Sequence, residues 1–146
     1  MRRPFTANPL FQFVINVFAI LYRATDGRIG GRMAGLKVLL LTSIGRKSGK
    51  RRTAPLGYFE HEGAYVITAS NAGSDKHPAW FLNLRDKPDV QVRVQDRDLP
   101  AQAEIVTAEL RKQLWAKMVH ASPQYARYAT RTKREIPMIL LHPVKE

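Results

Sequence analysis

The chain has 146 residues, no cysteine and a net charge of +12. A chain of this length makes one domain that buries roughly two thirds of its unfolded surface without staples, and the absence of cysteine excludes disulfides, thiolate catalysis and cysteine-ligated metals. The charge is uneven: residues 1–58 carry 11 Lys and Arg against one acid, Asp26, while residues 59–146 carry 13 against 11, so the front half predicts an anionic partner such as a phosphate ligand, nucleic acid or an anionic membrane surface.

Asn8-Pro9 reads as a helix start, asparagine as N-cap and proline at the first helical position. The helix is expected to end at Tyr22 or Arg23. Arg2 and Arg3 before the apolar run 10–21 give a superficial likeness to a signal peptide. No small-x-small cleavage site follows, and the run is about half the bilayer-spanning length and is broken by Gln12 and Asn16. We read it as mature protein. Apolar nearly all round, it is either packed on the domain or laid on a membrane surface. Arg2, Arg3 and Arg23 at its ends suit the second alternative. The expected location is cytoplasmic, with peripheral membrane association left open. Four glycines in 27–35 mark a loop.

Strands dominate next. Residues 38–44 are a continuous apolar run that suits a buried strand. Residues 52–60 are extended but carry Pro55 and Gly57, so this strand is an edge or is bulged. Residues 64–70 form a third strand. Val90, Val92 and Val94 alternate with Gln91, Arg93 and Gln95, which gives one wet face. Asp96-Arg97-Asp98 reads as a turn, 99–106 as its hairpin partner, and 136–142 as a sixth strand. Helices are expected over 78–85, with Trp80, Phe81 and Leu84 on the apolar side, from Thr107 as cap, with Leu110, Leu114, Trp115, Met118 and Val119 as a stripe, and from Ser122-Pro123 to Thr130. Links of a few residues argue for antiparallel pairing. The expected fold is mainly β with peripheral helices, a small closed or split antiparallel barrel. It is one domain over 1–146, an N-terminal helix and loop over 1–35 followed by the barrel over 36–146.

The most informative stretch is KVLLLTSIGRKSGKRRTAPLGY at 37–58. Arg46, Lys47, Lys50, Arg51 and Arg52 fall within seven residues of a glycine-bounded loop. Such a loop is a solvated hairpin or a grip for an anion. It fails as a Walker A motif: Gly45 and Gly49 are three residues apart instead of four, Lys50 is followed by Arg51, and a strand follows where a helix is needed. The four histidines are scattered, so no metal is expected. No Gly-x-Ser-x-Gly elbow appears, and Asp96 and Asp98 read as solvated charges at a hairpin tip. What remains is little intrinsic chemistry and a strong anion grip, which fits an enzyme whose cofactor carries the chemistry, or a binding module. Tyr125 and Tyr128 share a helix face. They either cover a barrel end or form a pocket wall.

Taken in order, LLLTSIGRKSGKRR with APL just after, ITASNAG, HPAWFLNLRDKPDVQV, SPQYARY and REIP resemble the deazaflavin-dependent nitroreductase family of actinobacteria and their relatives, across residues 10–143. The resemblance implies a split β-barrel related to the FMN-binding pyridoxamine-oxidase-like barrels. It implies coenzyme F420, a deazaflavin with a phosphate and an oligoglutamate tail, and hydride transfer from its reduced form to a quinone, activated enone or nitro compound. By similarity, Arg46, Lys47, Ser48 and Arg52 would hold phosphate and tail, where guanidinium grips bidentately and ammonium acts as a point charge. Pro55, Leu56 and Gly57 would present backbone to the ring. Thr68, Ala69, Ser70 and Asn71 would line it, and Ala79, Trp80 and Asn83 would close the phosphate side. Ser122, Tyr125 and Tyr128 would shape the acceptor pocket. Ser70, Tyr125 or an ordered water would hydrogen-bond the acceptor as negative charge develops.

Two departures stand out. Members that reduce bulky nitroimidazoles have tyrosine in place of Ser122, and lysine often stands in place of Asn71. They predict against nitroimidazole activation and for a weaker cofactor contact. The competing readings are a basic nucleic-acid-binding barrel and an FMN-binding barrel. No aromatic interleaves the 37–58 cations, so no nucleic acid is expected. Monomer and dimer both stay open.

Overall fold

The computed structural model describes residues 9–144. Helix α1 (Pro9–Ala24) leads into β1 (Arg32–Met33), β2 (Leu36–Ile44), β3 (Arg51–His61) and β4 (Ala64–Thr68). A 3-10 turn (Asn71–Gly73) and α2 (Ala79–Asp86) follow, then the hairpin β5 (Asp89–Val94) and β6 (Arg97–Ile105). Helices α3 (Ala108–Ala121) and α4 (Gln124–Thr130) precede β7 (Met138–Pro143). The strand order is β1-β2-β3-β4-β7-β6-β5, all antiparallel, and β5 pairs back onto β2. Six strands therefore close into a barrel, with β1 as a flap on β2. The expected asparagine N-cap, Arg2 and Arg3 lie outside the described residues.

The patterning follows from which strands are covered twice. Leu39 and Leu41 of β2 point into the barrel with Tyr65 and Ile67 of β4, Val90 and Val92 of β5, and Ile139 and Leu141 of β7. Val38 and Leu40 point outward and are buried under Phe18, Ala19 and Tyr22 of α1. Burial on both faces is why β2 reads as an unbroken apolar run. β4 and β7 are likewise covered outside, where Val66, Met138 and Leu140 pack with Leu114 and Met118 of α3 and Tyr125 of α4. Phe81 and Leu84 of α2 join the barrel-interior cluster. Each such side chain, fully buried, contributes about 1.5–3 kcal/mol.

Several boundaries differ from expectation. The β5–β6 turn is Gln95-Asp96, with Val94 opposite Arg97, so Arg97 and Asp98 belong to the strand. Gln95 takes φ 54 to close it. Asp98 is ion-paired with Arg93 at 2.7 Å and Arg23 at 3.4 Å, so it is no free charge. Arg93 also reaches Asp26 at 3.0 Å, and its side chain is 14% exposed; these ion pairs tie the end of α1 to the hairpin, while Gln91 and Gln95 stay exposed on the expected wet face. The 27–35 loop contains β1. Thr107 stands at the N-cap of α3, but its side chain makes no capping bond. β4 stops at Thr68, and β7 begins at Met138, two residues later than expected.

The feature that positions the site is a short ladder. β3 pairs with β2 without interruption from Tyr58 to Arg51. It pairs with β4 only at Phe59↔Val66, Glu60↔Tyr65 and His61↔Ala64. Beyond Phe59 the two strands part, and residues 51–58 have β2 alone as ladder partner. This is the edge that Pro55 requires, because proline cannot donate to a ladder. No bulge is present in the β2–β3 register.

Candidate active site

The cationic loop joins β2 to β3 at the open end of the split. Its backbone closes on itself: Gly45 N–H donates to the Lys50 carbonyl and Gly49 N–H to the Gly45 carbonyl, both at 2.8 Å. Lys50 N–H donates to Ser48 Oγ at 3.2 Å, which leaves the Ser48 proton free to donate. Arg46 N–H donates to Asn83 Oδ1 at 3.0 Å, and Asn83 Nδ2 donates to Ser43 Oγ at 3.4 Å. Asn83, 5% exposed, thus fastens the loop to α2 with its own side chain. Arg46, Lys47, Lys50, Arg51 and Arg52 are all exposed. Among the described residues, no ion pair involves any of them. Five exposed cations, none ion-paired among the described residues, on a loop closed by its own hydrogen bonds attract anions.

From Arg52 the first bank of the split runs through Pro55, Leu56 and Gly57. A Cβ on Gly57 would come within 2.8 Å of Leu36 Cδ1, so close packing against β2 explains that glycine. The opposite bank is the end of β4 and the turn after it. Thr68, Ala69 and Ser70 are buried there. Thr68 Oγ1 has no hydrogen-bond partner. A buried hydroxyl without a partner costs about 1–3 kcal/mol, which a polar ligand at this bank would offset. Asn71 Nδ2 donates to the Lys76 carbonyl at 3.0 Å, so this side chain braces the loop. Asn71 (φ 46), Ala72 (φ 54) and Gly73 (φ 81) form three consecutive left-handed residues. Outside glycine each such residue is strained by about 1–3 kcal/mol. Gly73 has no freedom to change: an added Cβ would lie 2.8 Å from the Tyr128 carbonyl oxygen. Ala79 is exposed and Trp80 half-buried at the start of α2.

Helix α4 closes the far side. Tyr125 is 9% exposed, and burial with a smaller contribution from Tyr128 pushes its phenol up to about 12. It stays protonated at neutral pH, so its hydroxyl is able to donate a hydrogen bond. Tyr128 packs edge-on against it, with centroids 5.4 Å apart, and accepts from Gln124 Nε2 at 2.8 Å. Ser122 does not join them. It is 2% exposed, and its hydroxyl donates to the Ala34 carbonyl at 2.6 Å, pinning the start of α4 to the β1–β2 turn. That commitment is a long-range contact with no local sequence signal.

The residue passed over is Arg134, between α4 and β7. Its Nε donates to the Ser74 carbonyl at 2.8 Å. Nη1 and Nη2 both reach the Ala69 carbonyl at 3.2 Å, and Nη2 reaches the Ser70 carbonyl at 2.9 Å. Nη1 also meets His77 Nδ1 at 3.2 Å. Its only sequence signal was its place in REIP, with no role attached.

The residues brought together suit a ligand with an anionic tail: an acid-free cation loop beside the parted β3–β4 ladder, an unpartnered Thr68 hydroxyl at the end of β4 and a buried phenol on α4. A family model described as F420H(2)-dependent quinone reductase matches residues 15–143. An F420H(2)-dependent quinone reductase of Mycobacterium tuberculosis strain H37Rv is 35% identical over 125 residues, covering 83% of this chain and 84% of that protein. A solved F420-H2 dependent reductase (FDR-A) shares 40% identity over 72% of this chain and 93% of its own, with a TM-score of 0.66. A structure described as a domain-swapped dimer is 36% identical over 92% of this chain and 100% of its own, with a TM-score of 0.70. With a closed six-stranded barrel and matches over most of its length, the chain belongs to the F420H2-dependent quinone reductase family.

Proposed function

We propose that the protein is an F420H2-dependent reductase whose acceptor is a quinone, with activated enones and nitro compounds as further acceptors. The observation that carries this reading is an acid-free cationic loop at the mouth of a split in the barrel wall, in a chain of this family. When bound in reduced form, F420 supplies the hydride. The protein supplies grip, orientation and a hydrogen-bond donor. Arg46, Lys47 and Arg52 hold phosphate and tail carboxylates, and Ser48 donates its proton to a phosphate oxygen. Pro55, Leu56 and Gly57 on one bank and Thr68 to Asn71 on the other confine the ring. Ala79 and Trp80 border the phosphate side. Tyr125, protonated at neutral pH with its pKa raised further by burial, donates to the acceptor oxygen as negative charge gathers there, with Ser70 as the second candidate donor. Tyr128 shapes the pocket through its packing on Tyr125.

Titration of the purified protein with oxidised F420, FMN and a short oligonucleotide at physiological salt tests the reading. Binding of F420, followed by quinone reduction with F420H2, is expected. Binding of FMN or DNA alone would overturn it. Assembly is read as monomer or dimer, the 36%-identical structure being a domain-swapped dimer.

The partner reading extends to an anionic lipid surface. α1 docks through Phe18, Ala19 and Tyr22, yet Phe13, Val14, Val17, Ile20 and Leu21 on its opposite side are 38–65% exposed. Arg23, Arg28 and Arg32, all exposed, follow in the chain beside exposed Ile29 and Met33. An apolar row edged with cations suits anionic headgroups. No described helix is long and apolar enough to cross a membrane.

A further inference from the structure

We propose that Arg134 is a positioning residue that holds the ring-side wall of the cleft, residues 69–74, in its strained working shape. The inference rests on the F420 reading, because that reading makes this wall the cofactor's neighbour.

A guanidinium offers five N–H donors in a fixed fork. Those of Arg134 make five contacts, on the carbonyls of Ala69, Ser70 and Ser74 and on His77. The contacted residues bracket the left-handed run Asn71-Ala72-Gly73. An isolated turn with two left-handed non-glycine residues relaxes to ordinary backbone. This one is held at both ends by one planar group. Arg131 adds a contact from its Nη1 to the Ala72 carbonyl at 3.3 Å, and its guanidinium lies 5.7 Å from the Tyr128 ring centroid. The segment after α4 therefore ties the ring-side wall to the helix carrying Tyr125 and Tyr128. Among the described residues no carboxylate is ion-paired with Arg134. Its hydrogen-bond partners are carbonyl dipoles and one imidazole, with the Asp75 carboxylate near enough to act on its charge without pairing, an arrangement that sets a shape.

A purely structural arginine would also satisfy buried carbonyls, so the test must separate shape from stability. The variants are Arg134→Lys, which keeps the charge and loses the fork, and the same change combined with Ala72→Gly, which removes the Cβ penalty at φ 54. Amide hydrogen exchange is read on the full chain without cofactor. F420 affinity and single-turnover reduction of menadione by F420H2 are read alongside. Arg134→Lys is expected to speed exchange at residues 69–77 and leave β2 and β5 protected. It should leave F420 affinity close to normal, because the tail grip is intact, and slow hydride transfer by about 30-fold. Ala72→Gly in that background should recover part of the protection and part of the rate. Unchanged exchange at 69–77, or a lowered Tm with a normal single-turnover rate, would overturn the proposal. If the wild-type protein binds no F420, the functional reading fails by itself, and the exchange pattern still decides whether Arg134 holds the turn.

Discussion

Arg52 and Asn83 serve the same loop and should fail differently. Arg52 is exposed, with no ion pair among the described residues. Arg52→Ala should leave Tm nearly unchanged and weaken F420 binding by about tenfold or more, the loss of a charge-assisted contact. Asn83 is buried and holds Arg46 N–H and Ser43 Oγ. Asn83→Ala should cost about 1–3 kcal/mol of stability and weaken F420 only through a loosened loop. Denaturation and cofactor titration of both variants check the contrast; equal effects on folding from both would make the loop structural. Tyr125 adds a pH signature. Its folded pKa of about 12 lies above the unbound value of 10.0, so the native state holds this proton longer than the unfolded chain does. The linked stability is fully present below pH 10 and is lost as pH rises toward 12, by up to about 2–3 kcal/mol. Tyr125→Phe should make that alkaline limb shallower in urea melts, leaving the shares of Tyr22 and Tyr58, whose phenols burial also raises, and slow quinone reduction at neutral pH by about tenfold. These roles were unequally visible in the sequence. Exposed cations in a local run declare themselves, whereas Ser122, Asn83 and Asn71 read as ligand contacts. The Ser122 hydroxyl bonds to Ala34, the Asn83 amide to Arg46 and Ser43, and Asn71 Nδ2 to Lys76, partners set by tertiary packing.

Among the elements, β2 and the helical stripes were legible because burial writes periodicity into sequence. Leu39 and Leu41 face inward, Val38 and Leu40 lie under α1, and Leu114 and Met118 sit one turn apart on the buried side of α3. The 3-10 turn after β4 was not legible. Its left-handed asparagine and alanine contradict local preference and persist through contacts from residues some sixty positions away. Packing of α1 on the domain was one of the two sequence readings, but the contacts that attach it were hidden. One phenol carries much of it: Tyr22, fully buried, donates to the Val38 carbonyl at 2.9 Å and accepts from Gln95 N–H at 2.8 Å. Tyr22→Phe keeps the ring in place and strands both backbone groups, so a loss of about 1–3 kcal/mol is expected. Because the two bonds anchor α1 to β2 and to the β5–β6 turn, hydrogen exchange should rise at residues 9–24 and 95–98 before the rest of the barrel. A uniform rise would show that α1 has no separate docking energy.

At the scale of the molecule the fold sorts the chain's charge and grease into two regions. The loop at 45–52 joins β2 to β3 beside the parted β3–β4 ladder. The outward row on α1 belongs to a different surface, because the same helix spends its opposite side on Val38 and Leu40. Exposed apolar patches rimmed by polar groups mark interaction sites, and the exposed cations Arg28 and Arg32, with Arg23 ion-paired to Asp98, suit the anionic lipid surface proposed above. A quinone acceptor that partitions into lipid would be reached from such a surface. The critical variant is Phe13→Glu with Ile20→Glu. Both positions are about two-thirds exposed, at 64% and 65%, so the double change removes no packed side chain and should leave Tm and F420 affinity unaltered. Co-sedimentation of the wild-type chain with vesicles containing phosphatidylserine should exceed that with purely zwitterionic vesicles and fall with added salt, each basic residue near the surface adding about 1 kcal/mol. The double variant should lose most of the binding. It should also lose turnover with a vesicle-embedded quinone, yet keep turnover with soluble menadione. Equal sedimentation of variant and wild type would reject the lipid surface, and a concentration-dependent dimer abolished by the same two changes would assign the row to a second copy of the chain.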